Sequence, residues 1–147
     1  QHGLDLGLRT RGPDFHDAVM HATGGQGVNL VVNTVGGSVF GECVRCMAFQ
    51  GRLATVGYVD GVLTGEIDIA ALHARRLTLF GVSNKQRNAD QRAEFVPAFK
   101  TQILPLLDSG QITPIVDKVL PFEQLAEAKA IMEANRHLGK IVLAGLA

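Results

Sequence analysis

Tryptophan is absent from this chain and tyrosine occurs once, at Tyr58, so no aromatic binding face is on offer. Net charge is missing too. Fourteen basic and fourteen acidic residues cancel, which leaves no electrostatic footprint for nucleic acid or an anionic membrane. The expected partner is therefore a small molecule or another protein. No apolar run approaches the roughly 20 residues that span a bilayer, and no basic-then-apolar signal segment opens the sequence. Two cysteines do not make a disulfide framework, and the reading is a cytoplasmic protein. One further absence bears on function: G-x-G-x-x-G occurs nowhere, so a dinucleotide phosphate loop would have to lie before Gln1.

What is present is glycine, seventeen of them, in a chain of 147 residues that is 46% hydrophobic and 19% charged. That composition suits an α/β protein with a real core and is too apolar for disorder. The most informative stretch is GGQGVNLVVNTVGG at residues 24–37. It is a glycine-bounded apolar run of the kind a strand buried on both faces needs, and it ends in a Gly-Gly that lets a ligand approach bare backbone.

The rest alternates in kind. Residues 4–8 suit a short strand, and Gly12-Pro13-Asp14 a helix start, with Phe15, Val19 and Ala22 inward. Residues 28–35 form the buried strand. Ser38 is placed to cap a helix carrying Phe40, Cys43, Val44 and Met47 before Gly51 closes it, and residues 52–56 are again a strand. A short helix over 69–75 leads to a strand that begins at Leu77 and ends at Val82. Asn88 and Gln91 make a capping-box pattern for a long helix with Phe95, Phe99, Ile103 and Leu106 on one face, and Pro97 and Pro105 predict a kink or break. Gly110 ends it. A strand over 115–120, a helix over 122–135 with Leu125, Ala128 and Met132 inward, and a strand over 140–144 complete the chain. Strands alternating with helices at this spacing describe a parallel sheet wrapped by helices, whose ligand lies at the C-terminal strand ends. Those ends are 34–37, 57–58 and 81–84.

Several constellations read as structure rather than chemistry. Cys43-x-x-Cys46 lies inside a helix, not at its start where the dipole activates a thiol, and has no second pair for zinc. His16 and His21 miss the i, i+4 spacing of a helical metal pair, although Asp17 is placed to meet His21. His73 and His137 have no partner of local spacing, and Arg75-Arg76 reads as a solvated helix end. No general acid or nucleophile stands out, so no catalytic and no metal-binding residue is assigned.

Five segments in this order and spacing carry a resemblance: TGGQGVNLVVNTVGG, GRLATVGY, RRLTLFGVS, LPLLDSGQITPIVDKVLPF and HLGKIVL. The chain resembles the carboxy-terminal portion of the quinone oxidoreductase branch of the medium-chain dehydrogenase/reductase superfamily, relatives of the zinc alcohol dehydrogenases. The resemblance implies a partial Rossmann fold, a doubly wound parallel sheet lacking its first strands, over residues 1–112. Residues 113–147 would return to a catalytic domain. It implies NADPH (NADP) as cofactor, with Val35, Gly36 and Gly37 beside its ribose and pyrophosphate, Gly57 and Tyr58 near the nicotinamide ribose, and Val82, Ser83 and Asn84 near the carboxamide. A family tyrosine at the adenosine end falls at Thr10, followed by Arg11, and a frequent aspartate falls at Asn33. The implied activity is zinc-independent hydride transfer to a quinone or activated enone, with the fragment inactive alone and a homodimer formed through the strand from Leu77 to Val82. A zinc-dependent alcohol dehydrogenase and a non-catalytic dimerising module are the alternatives; zinc ligands in the missing half identify the first, and loss of any NADPH fluorescence response the second.

Overall fold

The computed structural model describes residues 3–10 and 12–145, so Gln1, Arg11 and Ala147 lie outside it. The chain packs as two compact units, Gln1–Arg87 and Asn88–Ala147. In the first, β1 (Val28–Asn33), β2 (Met47–Thr55) and β3 (Thr78–Gly81) form a parallel sheet in that order. The helices α1 (His16–Ala22), α2 (Phe40–Arg45) and α3 (Ile69–Ala74) connect them. This is the parallel α/β architecture that the alternation implied.

Register decides which side chains become core. Val31, Leu53 and Leu79 are paired across the three strands and therefore point to one face. That face carries Leu53, fully buried, with Val44, Cys43, Met47 and Leu77, and Phe15, Phe40 and Leu72 pack around them. Burying one such leucine contributes about 1.5–3 kcal/mol. Two polar clamps tie the helices to this core. Glu42, 7% exposed, accepts from the His16 amide at 2.8 Å and from Arg45 Nη1 at 2.7 Å, joining α1 to α2. Arg75 is not a solvated helix end: its Nη1 donates to the carbonyls of Met47 at 2.7 Å and Arg45 at 3.1 Å.

The opposite sheet face corrects the reading of β1 as buried on both sides. Leu30 and Val32, register partners of Arg52 and Ala54, are 57% and 59% exposed. An apolar run reports that a strand can be covered, not that this chain supplies the cover. Residues 4–8 form no strand, and Leu4, Leu6 and Leu8 are exposed. A strand needs a ladder partner, and among the described residues β1 pairs with β2 alone. Pro13 and Asp14 stand before α1, which starts at His16 and has Asp17 in its first turn, where Asp17 pairs with His16 rather than His21. The second helix stops at Arg45, so Met47 opens β2 instead of extending α2. Asp68, unremarked in the sequence, caps α3 by accepting from the Ala71 amide at 2.8 Å.

The second unit holds α4 (Ala89–Gln102), α5 (Leu104–Asp108), β4 (Val116–Pro121), α6 (Leu125–Glu133) and β5 (Lys140–Ala144), with β4 and β5 parallel. The capping box is as expected: Gln91 N donates to Asn88 Oδ1 at 2.9 Å and Asn88 N donates to Gln91 Oε1 at 3.1 Å. The helix runs on through Pro97, whereas the break does fall beside Pro105, in the first turn of α5. On α6 the buried positions are Ala128 and Ile131, while Leu125 and Met132 are exposed. The buried face is the one that packs on β4 and β5, and it joins Ala128 to Ile131.

Burial settles the C-x-x-C. Cys43 and Cys46 are free and buried in the core, and desolvation, with the nearby Glu42 charge, pushes the Cys46 thiol up to about 11 and that of Cys43 upward. A raised value keeps the unreactive thiol form across neutral pH. A disulfide-exchange reagent at pH 8 is expected to leave both thiols untouched in the native chain and to titrate both in guanidinium chloride. Rapid native modification of either would contradict the core assignment.

Candidate functional site

The three parallel strands finish level. Asn33, Thr55 and Gly81 are register partners, so the segments that leave them emerge side by side at one sheet edge. The ladder holds them together past the last strand residue, with Val56 N donating to Asn33 O and Val82 N to Thr55 O, each at 2.8 Å. Between the second and third exits, residues 55–59 and 81–85 line a groove of about 790 Å³, within the range of ordinary ligand sites. Gly57, Tyr58, Val82, Ser83 and Asn84 all lie in it. At Gly81 a Cβ would meet nothing within 4 Å, which leaves the groove floor open to an incoming group.

The first exit is organised differently. Val35 lines a second groove of about 450 Å³ together with Thr10, Ser38 and Asp60. Gly36 and Gly37 border a smaller cavity of about 250 Å³ shared with Tyr58. Here the close approach comes from the chain itself. A Cβ on Gly36 would stand 1.9 Å from Asp60 Oδ1, and one on Gly37 2.0 Å from the Thr64 carbonyl. The pair of glycines therefore admits the 58–65 loop, whatever else it admits.

Two polar side chains build this corner: Asn33, noted in the sequence only as the place of a family aspartate, and Asp60, which the sequence reading left out. Asn33, 3% exposed, accepts from the amides of Val35 at 2.9 Å and Gly36 at 3.1 Å, while its Nδ2 donates to Gly36 O at 2.9 Å. An aspartate there would supply the acceptor and lack that donor. Asp60 accepts from Ser38 Oγ, from Ser38 N at 3.0 Å and from Val62 N at 2.9 Å. Ser38 thus spends its side chain on Asp60 and does not cap α2. The bond from Ser38 Oγ, followed by the backbone amides, holds the Asp60 carboxyl below the ordinary carboxylate range. A lowered value means that these contacts are intact above the free carboxyl's pKa and are lost only as the pH falls through the depressed one. The signals were present as an Asx-turn spacing, Asn33 to Val35, and an Asp-Gly at 60–61.

Among the described residues no three His, Cys, Asp or Glu side chains gather as a metal site. None of them is long and apolar enough as a helix to cross a membrane. The groove offers shape, backbone, one aromatic side chain and the polar side chains of Thr55, Ser83, Asn84 and Lys85.

Comparison with known proteins gives one family. The model of the zinc-binding dehydrogenases matches residues 3–143. A quinone oxidoreductase-like protein 2 of Bos taurus is 30% identical over 147 residues, 97% of this chain and 40% of the relative. A highly reducing polyketide synthase of Leptosphaeria maculans is 27% identical over 135 residues, 91% of this chain and 5% of the synthase. Among solved structures, a mycobacterial protein complexed with NADPH superposes with a TM-score of 0.75 at 26% identity, covering 97% of this chain and 44% of that one. The chain spans less than half the length of these relatives.

The Asp60 contact yields a stability test. Gly36 has φ +133 and a steric conflict in store, whereas Gly61 has φ +72 and open space. Gly36→Ala is expected to cost about 1–3 kcal/mol more in thermal denaturation than Gly61→Ala, the excess combining the clash with the carboxylate and the glycine-only backbone at φ +133, ψ −153. Equal costs would mean that Asp60 does not occupy that space.

Proposed function

Because this chain belongs to the zinc-binding dehydrogenase family, we propose that it forms the cofactor-facing part of an oxidoreductase that passes hydride from NADPH to a quinone or activated enone without zinc. The observation that carries this is the groove at the level strand ends, where Gly57 and Gly81 keep backbone bare and Tyr58, Val82, Ser83 and Asn84 form the walls. The likeness to a structure complexed with NADPH supports the cofactor, and the quinone oxidoreductase-like relative supports the acceptor class.

The residues present fit the nicotinamide end of such a cofactor. Open space at Gly81 suits a flat ring laid against backbone, and although Val82 N and Asn84 O are bonded to Thr55 and Arg87, the exposed Ser83 presents an amide and a carbonyl of the kind a carboxamide pairs with. The pyrophosphate end is not provided for, since no glycine-rich phosphate loop stands in the chain. When bound, the nicotinamide supplies the hydride. The chain's own contribution is to position the ring and exclude water from one of its faces, which is where a cofactor enzyme spends its binding energy. No residue here is asked to carry a proton.

Two buried free thiols accord with a cytoplasmic location. We further propose a homodimer through β3. Its outer edge is unpaired among the described residues, and the sequence from Leu77 to Val82 has neither proline nor charge to block edge pairing. Thr78 is exposed on that strand while Leu79 packs on the core, so Thr78→Lys is the variant that leaves the fold alone. In the full-length protein it should convert dimer to monomer in sedimentation velocity, and an unaffected dimer would remove this edge from the interface.

The cofactor reading has its own test in Gly81→Val. A Cβ there meets nothing within 4 Å and a β-branched residue suits a strand, so folding should be little harmed. NADPH affinity of the full-length protein, measured by fluorescence titration, should fall by about 100-fold, roughly 2.7 kcal/mol. Unchanged affinity with unchanged stability would place the cofactor elsewhere.

A further inference from the structure

The loop that follows β2 has an unusual support. Val59 and Leu63 are 85% and 74% exposed and only Val62, set against Gly37, is better covered, so apolar side chains do little to hold down the loop over residues 58–65. Hydrogen bonds to the turn after β1 hold it instead. Three of them meet at one residue: Asp60 N donates to Val35 O at 2.9 Å, and the Asp60 carboxylate accepts from both the amide and the hydroxyl of Ser38. Gly37 N adds a parallel tie to Val62 O at 2.9 Å. Within the loop, Val62 N donates to the carboxylate at 2.9 Å and Gly61 N to Tyr58 O at 3.0 Å, so the same residue also sets the loop's own curvature. Gly36 is fitted to this arrangement, because any side chain there would collide with the carboxylate.

The loop begins at the groove. Tyr58 lines both the groove and the small cavity beneath Gly36 and Gly37, and its carbonyl is bonded to the turn that Asp60 organises. We propose that Asp60 is a positioning residue for the cofactor site, latching the 58–65 loop to Ser38 so that Tyr58 and the Gly57 backbone stand as a fixed wall of the nicotinamide groove. This rests on the cofactor reading above. A wall held in place before binding saves the ordering cost that a loose loop would charge against affinity. Ser38 is the second half of the latch and touches no part of the nicotinamide groove.

The experiment is a double-mutant cycle in the full-length protein, with Asp60→Ala, Ser38→Ala and the pair, reading the NADPH dissociation constant, the melting temperature without cofactor, and KM against kcat. Asp60→Ala is expected to weaken NADPH about tenfold, Ser38→Ala by a smaller factor, and the pair no more than Asp60→Ala alone, the coupling expected of two halves of one contact. The loss should appear in KM for NADPH. A fall in melting temperature with NADPH affinity unchanged in both single variants would overturn the proposal, leaving Asp60 an ordinary loop contact. Should Asp60→Ala fail to fold, Ser38→Ala decides: an unchanged dissociation constant overturns it and a weakened one upholds it. Gly81→Val, run alongside, separates the two readings. If it too binds NADPH normally, the cofactor site itself is misplaced and the latch falls with it; if it loses NADPH while the latch variants keep it, only the latch is wrong.

Discussion

Everything at the ligand-facing edge depends on how β1 ends. A parallel strand that simply continued past Asn33 would carry residues 34–37 out into solvent, away from the exits of β2 and β3. Asn33 prevents this. Its buried amide bonds three times to the turn it initiates, which supports the unusual backbone at Gly36 and aims Gly37 and Ser38 toward the neighbouring loop. From there the contacts run outward: Gly37 to Val62, Ser38 to Asp60, Val35 to Asp60. A buried side-chain amide with its bonds made is worth more for the geometry it imposes than for its net free energy, about 1 kcal/mol per bond. One polar residue in an apolar run thus converts a sheet edge into a shaped site.

The chemistry of the site follows from what such an edge can offer. Level ends of parallel strands present backbone amides, carbonyls and glycine, and they bring distant segments within reach of one flat ligand. They do not by themselves supply acids or nucleophiles. Hydride transfer from a bound nicotinamide asks for position and dryness, so an edge of this kind is sufficient for the part of the reaction assigned to it. The division between the grooves also has a physical sense. The one between β2 and β3 has open backbone, whereas the one at β1 carries Asp60, whose carboxylate is engaged by Ser38 and Val62.

Much of this was legible in the residue order, and the exceptions share a cause. Local rules worked where local bonds decide: the Asn88 and Gln91 capping box, the strand after Gly139, and the break beside Pro105 all stand as read. So did the burial of Cys43 and Cys46 and the three strand ends, which finish level at one sheet edge. Readings that needed tertiary partners fared worse. The apolar run of β1 does not say which of its faces this chain covers, and residues 4–8 are strand-like without a ladder to join. Met47 fits a helical face by spacing, yet it pairs with Val28 as a strand residue. On α6 Ala128 is buried as read, but it shares its face with Ile131 rather than with Leu125 and Met132. Glu42 and Asp60 went unremarked because each acts on a segment more than twenty residues away, a separation that no local pattern reports.

The central claim is that a nicotinamide lies in the groove between the exits of β2 and β3. A crystal structure of the full-length protein with NADPH tests it most directly. The account predicts the nicotinamide ring within van der Waals contact of Gly81, its ribose against Gly57 and Tyr58, and its carboxamide hydrogen-bonded to the 82–84 backbone. A ring bound away from Gly57 and Gly81, with that groove empty, would contradict it.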